Sequence, residues 1–270
     1  MKLYVQTDME GVAGIVNVDD YLDSSGRYHE KGKRLVTEEV NAAVRGFIEG
    51  GLDDVVVADG HGSGAIDIEL LDPRVRLMRG WPTGWPLLID ESYDALAFVG
   101  QHAKAGTEFA HIPHTQWFGY IDLSVNGISI GEYGQMVLCA NELDIPIIFA
   151  SGDAAFCREV KELTPWAESV AGKEGTTPGK GDELERHAYG RSHETAIHRH
   201  PEVVREELAK VALKAARRFA SDPGSFGRVD IQPPYRAVAR FRQVGEKEPH
   251  TVEREHSSSI AEVLNALRSG

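Results

Sequence analysis

The sequence predicts an α/β protein: an open, mostly parallel, doubly wound sheet with a smaller α+β part toward the C-terminal end. Three observations carry this. A strand pattern at Lys2 to Thr7, a helical pattern, and an apolar strand run at Asp54 to Ala58 follow one another. Strand, helix, strand at that spacing is a βαβ unit, which pairs its strands in parallel through a right-handed crossover. The strand runs are short and continuously apolar rather than alternating, the mark of strands covered on both faces. The alternation then continues, with further runs at Ala95 to Val99 and Ile145 to Ala150.

Each element has its own local reason. Between Gly32 and Gly50, Val36, Val40, Ala43, Val44, Phe47 and Ile48 recur at spacings of three and four, one apolar stripe of a helix. Gly50-Gly51 supplies the stop. Trp117 to Val125 and Ile128 to Ile130 flank Asn126-Gly127, the strongest short-range hairpin signal. Helical stretches are expected from Gly131 to about Leu143 and from Ala154 to Leu163. Pro201 opens another, whose Val204, Leu208, Val211, Ala212, Ala215 and Phe219 share a face. The tail reads as strand (Tyr235 to Phe241), strand (Thr251 to Glu255) and helix (Ile260 to Leu267).

Residues 171–183 are rich in glycine and lysine, but the spacing of a phosphate-binding loop is not met and no apolar strand runs into them. They are expected to form a mobile surface loop. With no internal repeat, the division expected is a catalytic α/β part over 1–165 and a smaller α+β part over 166–270 that contains this loop.

Composition narrows the function classes. An apolar share of 41% in 270 residues allows a sizeable core. A net charge of −13 argues against nucleic acid or an anionic membrane as the main partner. No apolar run approaches the roughly 18 residues of a membrane span. The opening residues turn polar too early for a secretory leader, so a cytoplasmic location is expected. Cys139 and Cys157 sit in apolar, helix-like segments and are expected to be reduced, core-facing thiols. Without a paired motif they do not suggest a thiolate zinc site.

In open parallel sheets ligands bind at the carboxyl ends of the strands. Those ends offer Asp8 and Glu10 in Thr7-Asp8-Met9-Glu10-Gly11, Asp59 and His61 after the second strand, and His102 after the third; Glu132 follows the hairpin. Asp8 and Glu10, two residues apart, project to the same side if the chain is still extended. Two adjacent carboxylates are costly unless a proton or cation lies between them. Oxygen and imidazole donors without thiolates suit Zn²⁺, or Mn²⁺ or Co²⁺. Five ligands with three carboxylates exceed the need of one tetrahedral ion. They suit two ions about 3.5–4 Å apart, with Asp8 as the expected bridge. Taken singly, each has a plainer reading: a loop histidine at His61, a core histidine at His102, a helix-terminal charge at Glu132.

These blocks carry a resemblance. Thr7 to Gly11, Ala58-Asp59-Gly60-His61, Gly100 to Ala105, His114 to Gly119 and Gly131-Glu132-Tyr133-Gly134 resemble, in order and spacing, the motif series of the M55 peptidases, a family whose type member is a zinc-dependent D-aminopeptidase. The resemblance covers residues 1 to about 165. It implies that Asp8, Glu10, His61, His102 and Glu132 hold two zinc ions and that His114 is the catalytic side chain. It further implies a short-peptide substrate, with D residues among those accepted, and a ring-like homo-oligomer. Asp59 is left between two readings, a carboxylate orienting an imidazole and a cap for its own turn. His114 is left as acid–base group, oxyanion donor or nucleophile.

Two other functions fit parts of the pattern. A two-metal phosphoesterase uses the same centre, but Lys104 is the only basic residue in the motif blocks, too little for a phosphate clamp. A non-catalytic small-ligand binding protein on the same scaffold is the third.

Overall fold

In a computed structural model, which describes residues 1–80 and 84–268, the chain runs β1 (Lys2–Thr7), a π-helical turn (Val18–Leu22), α1 (His29–Glu49), β2 (Asp54–Asp59), β3 (Arg76–Met78) and β4 (Ala95–Gln101). The hairpin β5 (Tyr120–Val125) and β6 (Ile128–Ser129) follows, then α2 (Glu132–Glu142), β7 (Ile147–Asp153) and α3 (Ala154–Leu163). The last part comprises β8 (Glu168–Gly175), α4 (Arg186–Ser192), β9 (Ala196–His198), α5 (Pro201–Ser221), β10 (Tyr235–Phe241), β11 (His250–His256) and α6 (Ile260–Arg268).

Seven strands form one sheet in the order β3-β2-β1-β4-β7-β8-β9, parallel except for β9. Four form an antiparallel sheet, β11-β10-β5-β6. The expected α/β class holds, and the pleat explains why the inner strands look apolar throughout. Leu3, Val5, Val55, Val57, Ala95 and Ala97 enter the core under α1 and α5, while Tyr4, Val56, Leu96 and Phe98 enter the opposite core. That second core also takes α2, α3, α6 and the inner face of the small sheet. Where α1 crosses α5 the helices touch closely: a Cβ on Gly46 would lie 2.3 Å from Ala209 O.

The hairpin forms as expected, with Asn126 and Gly127 both at positive φ, the requirement of its two-residue turn. The expected break near 165 runs through both sheets. β8 and β9 complete the large sheet begun by β1, and β10 and β11 pair with β5 from the first half.

The reading of residues 171–183 as a mobile surface loop is corrected in its first part. Residues up to Gly175 belong to β8, which pairs in parallel with β7. The stretch lacks an apolar signature because its inward groups are small or charged. A Cβ on Gly175 would lie 2.3 Å from the backbone of Ala110, and Lys173 is buried with its ammonium donating to Ile15 O at 3.0 Å.

Candidate metal centre

The strand order reverses its direction of growth between β1 and β4, and the cavity opens at the carboxyl ends of the strands there, where such folds bind ligands. It has a volume of about 520 Å³ and is lined by Asp8, Glu10, His61, His114 and Glu132, with Trp85, Leu87, Phe98 and Met136 as apolar wall. No lysine or arginine is among the described residues that line it.

Asp8 and Glu10 face this cavity from a turn. The chain leaves β1 at Thr7, Asp8 N–H donates to Val99 O and Gly11 N–H to Gly100 O, which folds the segment across β4. Between the two carboxylates, Met9 buries its side chain in the core while its N–H meets Asp8 Oδ1 at 2.9 Å and Glu10 Oε2 at 3.3 Å. The shared orientation expected from an extended strand is thus reached by a backbone donor instead.

His61 follows β2, its Nδ1 3.1 Å from Ser63 Oγ and its Nε2 3.4 Å from Glu10 Oε1. The turn that presents it is clamped from outside. The Arg79 guanidinium donates to Asp59 O (3.1 Å), His61 O (2.6 Å) and Gly62 O (3.0 Å). Of the two readings of Asp59, the geometry supports the cap, since its carboxylate accepts from Ala65 N and Ile66 N.

His102 closes the ring from β4. Its Nδ1 lies 2.9 Å from Ala103 O, and because a carbonyl only accepts, Nδ1 carries the hydrogen. Nε2 then points at Asp8 Oδ2 (3.3 Å) and Glu132 Oε1 (3.5 Å), buried and without a hydrogen-bond partner. Glu132 opens α2 and accepts from Gln116 N at 2.6 Å. His114 Nδ1 faces Ile112 O at 3.0 Å, which leaves its Nε2 toward Glu10 Oε1 at 4.0 Å and Glu132 Oε1 at 3.9 Å.

The electrostatics follow from three carboxylates and three imidazoles gathered around one cavity. Burial and the neighbouring Glu10 push the Asp8 carboxyl up. Against the penalty of burial, His61 holds Glu10 well below the usual range. Burial likewise opposes charge on His102, but Glu132 and Asp8 outweigh it and raise the imidazole well above its ordinary value. Burial, and then the charge of His102, push His114 down.

These spacings test whether a cation fits. Charge-assisted hydrogen bonds have N to O distances of about 2.7–2.9 Å; the imidazole-to-carboxylate distances here are 3.3, 3.4 and 3.5 Å. Donors on one zinc, with bonds of roughly 2.0–2.2 Å in a tetrahedral shell, lie about 3.3–3.6 Å apart. The donor atoms also fall into two compact groups, Asp8 with Glu10 and His61, and His102 with His114 and Glu132, each within 4.8 Å. Asp8 touches both groups through its contact with His102.

The sequence-predicted residues thus meet in one place. Sequence reasoning missed their supports. Gln101 and Gln116 lie inside the motif blocks, where Gln101 donates to Asp8 Oδ2 at 2.8 Å and Gln116 N–H to Glu132; Ser63 meets His61 from two residues on, and Arg79 lacks a local signal because it grips backbone carbonyls of a distant turn.

The sequence model of the M55 peptidase family, described as D-aminopeptidase, matches residues 1–252. A D-aminopeptidase of Bacillus subtilis (strain 168) is 30% identical over 177 residues, and the match spans 64% of this chain and 64% of that protein. A solved structure, the Zn-dependent D-aminopeptidase DppA from Bacillus subtilis, a self-compartmentalizing protease, superposes with a TM-score of 0.81 at 21% identity, over 99% of this chain and 96% of that one.

Proposed function

The chain belongs to the M55 peptidase family, and from that premise we propose that it is a metal-dependent aminopeptidase cleaving short peptides, those with D residues included. Asp8, Glu10, His61, His102 and Glu132 would hold two divalent cations, zinc by analogy with the structural relative and cobalt or manganese by donor type. Asp8, which belongs to one donor group and contacts His102 of the other, would be the carboxylate the two groups have in common. The observation that carries this reading is His102 Nε2, buried and aimed between two carboxylates at 3.3 and 3.5 Å, the separation of donors that share one zinc.

When bound, the cations supply Lewis acidity, polarising a peptide carbonyl and making water nucleophilic near neutral pH. The protein's own groups do the rest. The cavity, of about 520 Å³, has room for the free amino end of a peptide, which would meet a bound cation as the neutral amine. His114, with Nδ1–H committed to Ile112 O, presents an unprotonated Nε2 to the cavity. It takes the proton of the attacking water and returns it to the leaving amine. Burial keeps it neutral, and Phe118, with ring centroids 4.8 Å apart, fixes its plane.

A phosphoesterase is disfavoured because the described lining residues provide no phosphate clamp. By analogy with the self-compartmentalizing relative, the chain is expected to form a ring-like homo-oligomer. None of the described helices is long and apolar enough to cross a membrane, and a cytoplasmic location is part of the proposal. The test is hydrolysis of L- and D-alanyl p-nitroanilide before and after chelation, beside p-nitrophenyl phosphate. Anilide cleavage lost on chelation and restored by zinc or cobalt is expected; chelator-insensitive cleavage, or none of the anilides cleaved, overturns the reading.

A further inference from the structure

The metal cavity does not end at Trp117. A second cavity, of about 640 Å³, begins at the same two residues, Gln116 and Trp117, and extends over the small sheet to Phe241, His250 and Lys247. Each volume lies within the range of about 300–1,000 Å³ usual for small-ligand sites. Trp117 is the divide. It is 40% exposed, and its ring lies against Gly119, where a Cβ would sit 2.1 Å from it. Trp117 stacks on Phe241 at 6.3 Å, and Phe241 stacks on His250 at 4.9 Å, which gives the cavity an aromatic floor.

Gln116 ties the two cavities together. Its φ is +61°, a left-handed conformation that costs a residue with a side chain on the order of 1–3 kcal/mol and persists only where neighbours enforce it. Here they do. Its N–H is given to Glu132 of the metal centre, its side-chain amide to Gln135, and its Oε1 receives the Tyr120 hydroxyl at 3.5 Å.

The two cavities differ in what they offer a peptide. The three carboxylates of the first would be taken up by the cations, and its described lining holds no lysine or arginine. The second has Lys247 and Arg254, and its carboxylate, Glu253, is already paired with Arg236. Lys247 has no ion-pair partner among the described residues and stands exposed. A free short peptide ends in a carboxylate, the group such an exposed ammonium would meet.

We propose that the second cavity is a substrate subsite that takes the carboxyl-terminal part of a short peptide, with an apolar or aromatic side chain on the floor of Trp117 and Phe241 and the terminal carboxylate toward Lys247. The amino end then lies toward the cavity of Asp8, Glu10 and Glu132 and the cations they would hold. This rests on the aminopeptidase reading and adds to it the substrate class: free di- and tripeptides with a large apolar last residue, in preference to amides and blocked peptides. The contact is remote from the bond that breaks, so its loss appears mainly in KM.

The test measures kcat/KM of the zinc-loaded full-length protein for alanyl-phenylalanine, its carboxamide and alaninamide, using the alanine enantiomer that is cleaved. The wild type is expected to prefer the free dipeptide. Lys247→Ala should lower the ratio of dipeptide to alaninamide by about fivefold, as loss of one exposed charge pair implies. Lys247→Glu should lower it further, and Lys247→Arg should restore it. Ratios that stay constant across the variants, or a wild type indifferent to the free carboxylate, overturn the subsite while alaninamide turnover leaves the aminopeptidase reading standing. Absence of turnover on all three substrates overturns both.

Discussion

The imidazoles of His102 and His114 lie face to face, with ring centroids 3.8 Å apart and planes 14° from parallel. Two stacked imidazoles at that distance do not both hold a proton charge readily. The cavity settles which one does: His102 is flanked by Asp8 and Glu132, and His114 is pushed toward neutrality by burial and by its partner. A cation at His102 would stand in for that charge and leave His114 as the proton acceptor.

That division of labour predicts a contrast in metal content. Asp8→Ala should lose both cations, being the carboxylate that touches both donor groups. His114→Ala should keep its metal and lose turnover by about 10²–10⁴-fold, the usual worth of a positioned acid–base group. Elemental analysis per chain decides it. Equal metal loss in the two variants would make His114 a ligand of the His102 and Glu132 group.

The carboxylate held by Gln101 predicts sensitivity at a glycine. Gly152 lies beside Gln101 in the sheet, and a Cβ there would fall 1.8 Å from Gln101 O. Gly152→Ala must therefore push β4 and β7 apart, at a cost of about 2–3 kcal/mol or more, and move the Gln101 amide off Asp8. Denaturant midpoints and zinc affinity should both fall. An unchanged affinity would mean that Gln101 does not position Asp8.

Arg79 predicts a defect without any contact to the cavity. Its guanidinium meets three backbone carbonyls of the turn that presents His61. Removing it should cost about 1–3 kcal/mol and weaken metal binding. Lysine, a single ammonium in place of a planar fork, should rescue only part of the loss. Full rescue by Arg79→Lys in a zinc titration would contradict the clamp.

Glu39 predicts a pH dependence away from the candidate metal centre. Its Oε1 accepts from Ala13 N at 3.0 Å, and burial raises its carboxyl to about 7. The sign is the reverse of a salt-bridged carboxylate. Between its unfolded value near 4.5 and about 7 the folded protein binds the extra proton, so stability falls as pH rises through that window. Glu39→Gln keeps the accepting oxygen and has no proton to lose. Its stability relative to wild type should rise by on the order of 2 kcal/mol from pH 4.5 to 7, read from urea unfolding at several pH values. A difference independent of pH would show that Glu39 ionises normally.

Where the sequence was legible, the signal was local. α3 and β10 begin and end where periodicity placed them, because a helix stripe and a strand run are written in consecutive residues. The candidate ligand types have a related reason: Asp8 and His102 directly follow buried strands and His61 comes two residues after one, and such ends converge in a parallel sheet. β8 was not legible. Its identity depends on Lys173 finding a carbonyl from the far end of the chain and on Gly175 slipping past Ala110, which no run of neighbours encodes.

The sequence by itself determined β1, α1, β2, β4, β7, α3, α5 and the strand, strand, helix tail, the hairpin at Asn126-Gly127, and the supply of carboxylates and imidazoles near strand ends, since these depend on side-chain spacing along one segment. Only the tertiary structure decided that His102 Nε2 faces two carboxylates from different segments, that Arg79 grips the His61 turn from behind, and that a basic, aromatic cavity adjoins the acidic one across Gln116 and Trp117. These relationships join residues tens to more than a hundred positions apart. Their free energy comes from burial and charge in a shared space, and that space exists only once the sheets have packed.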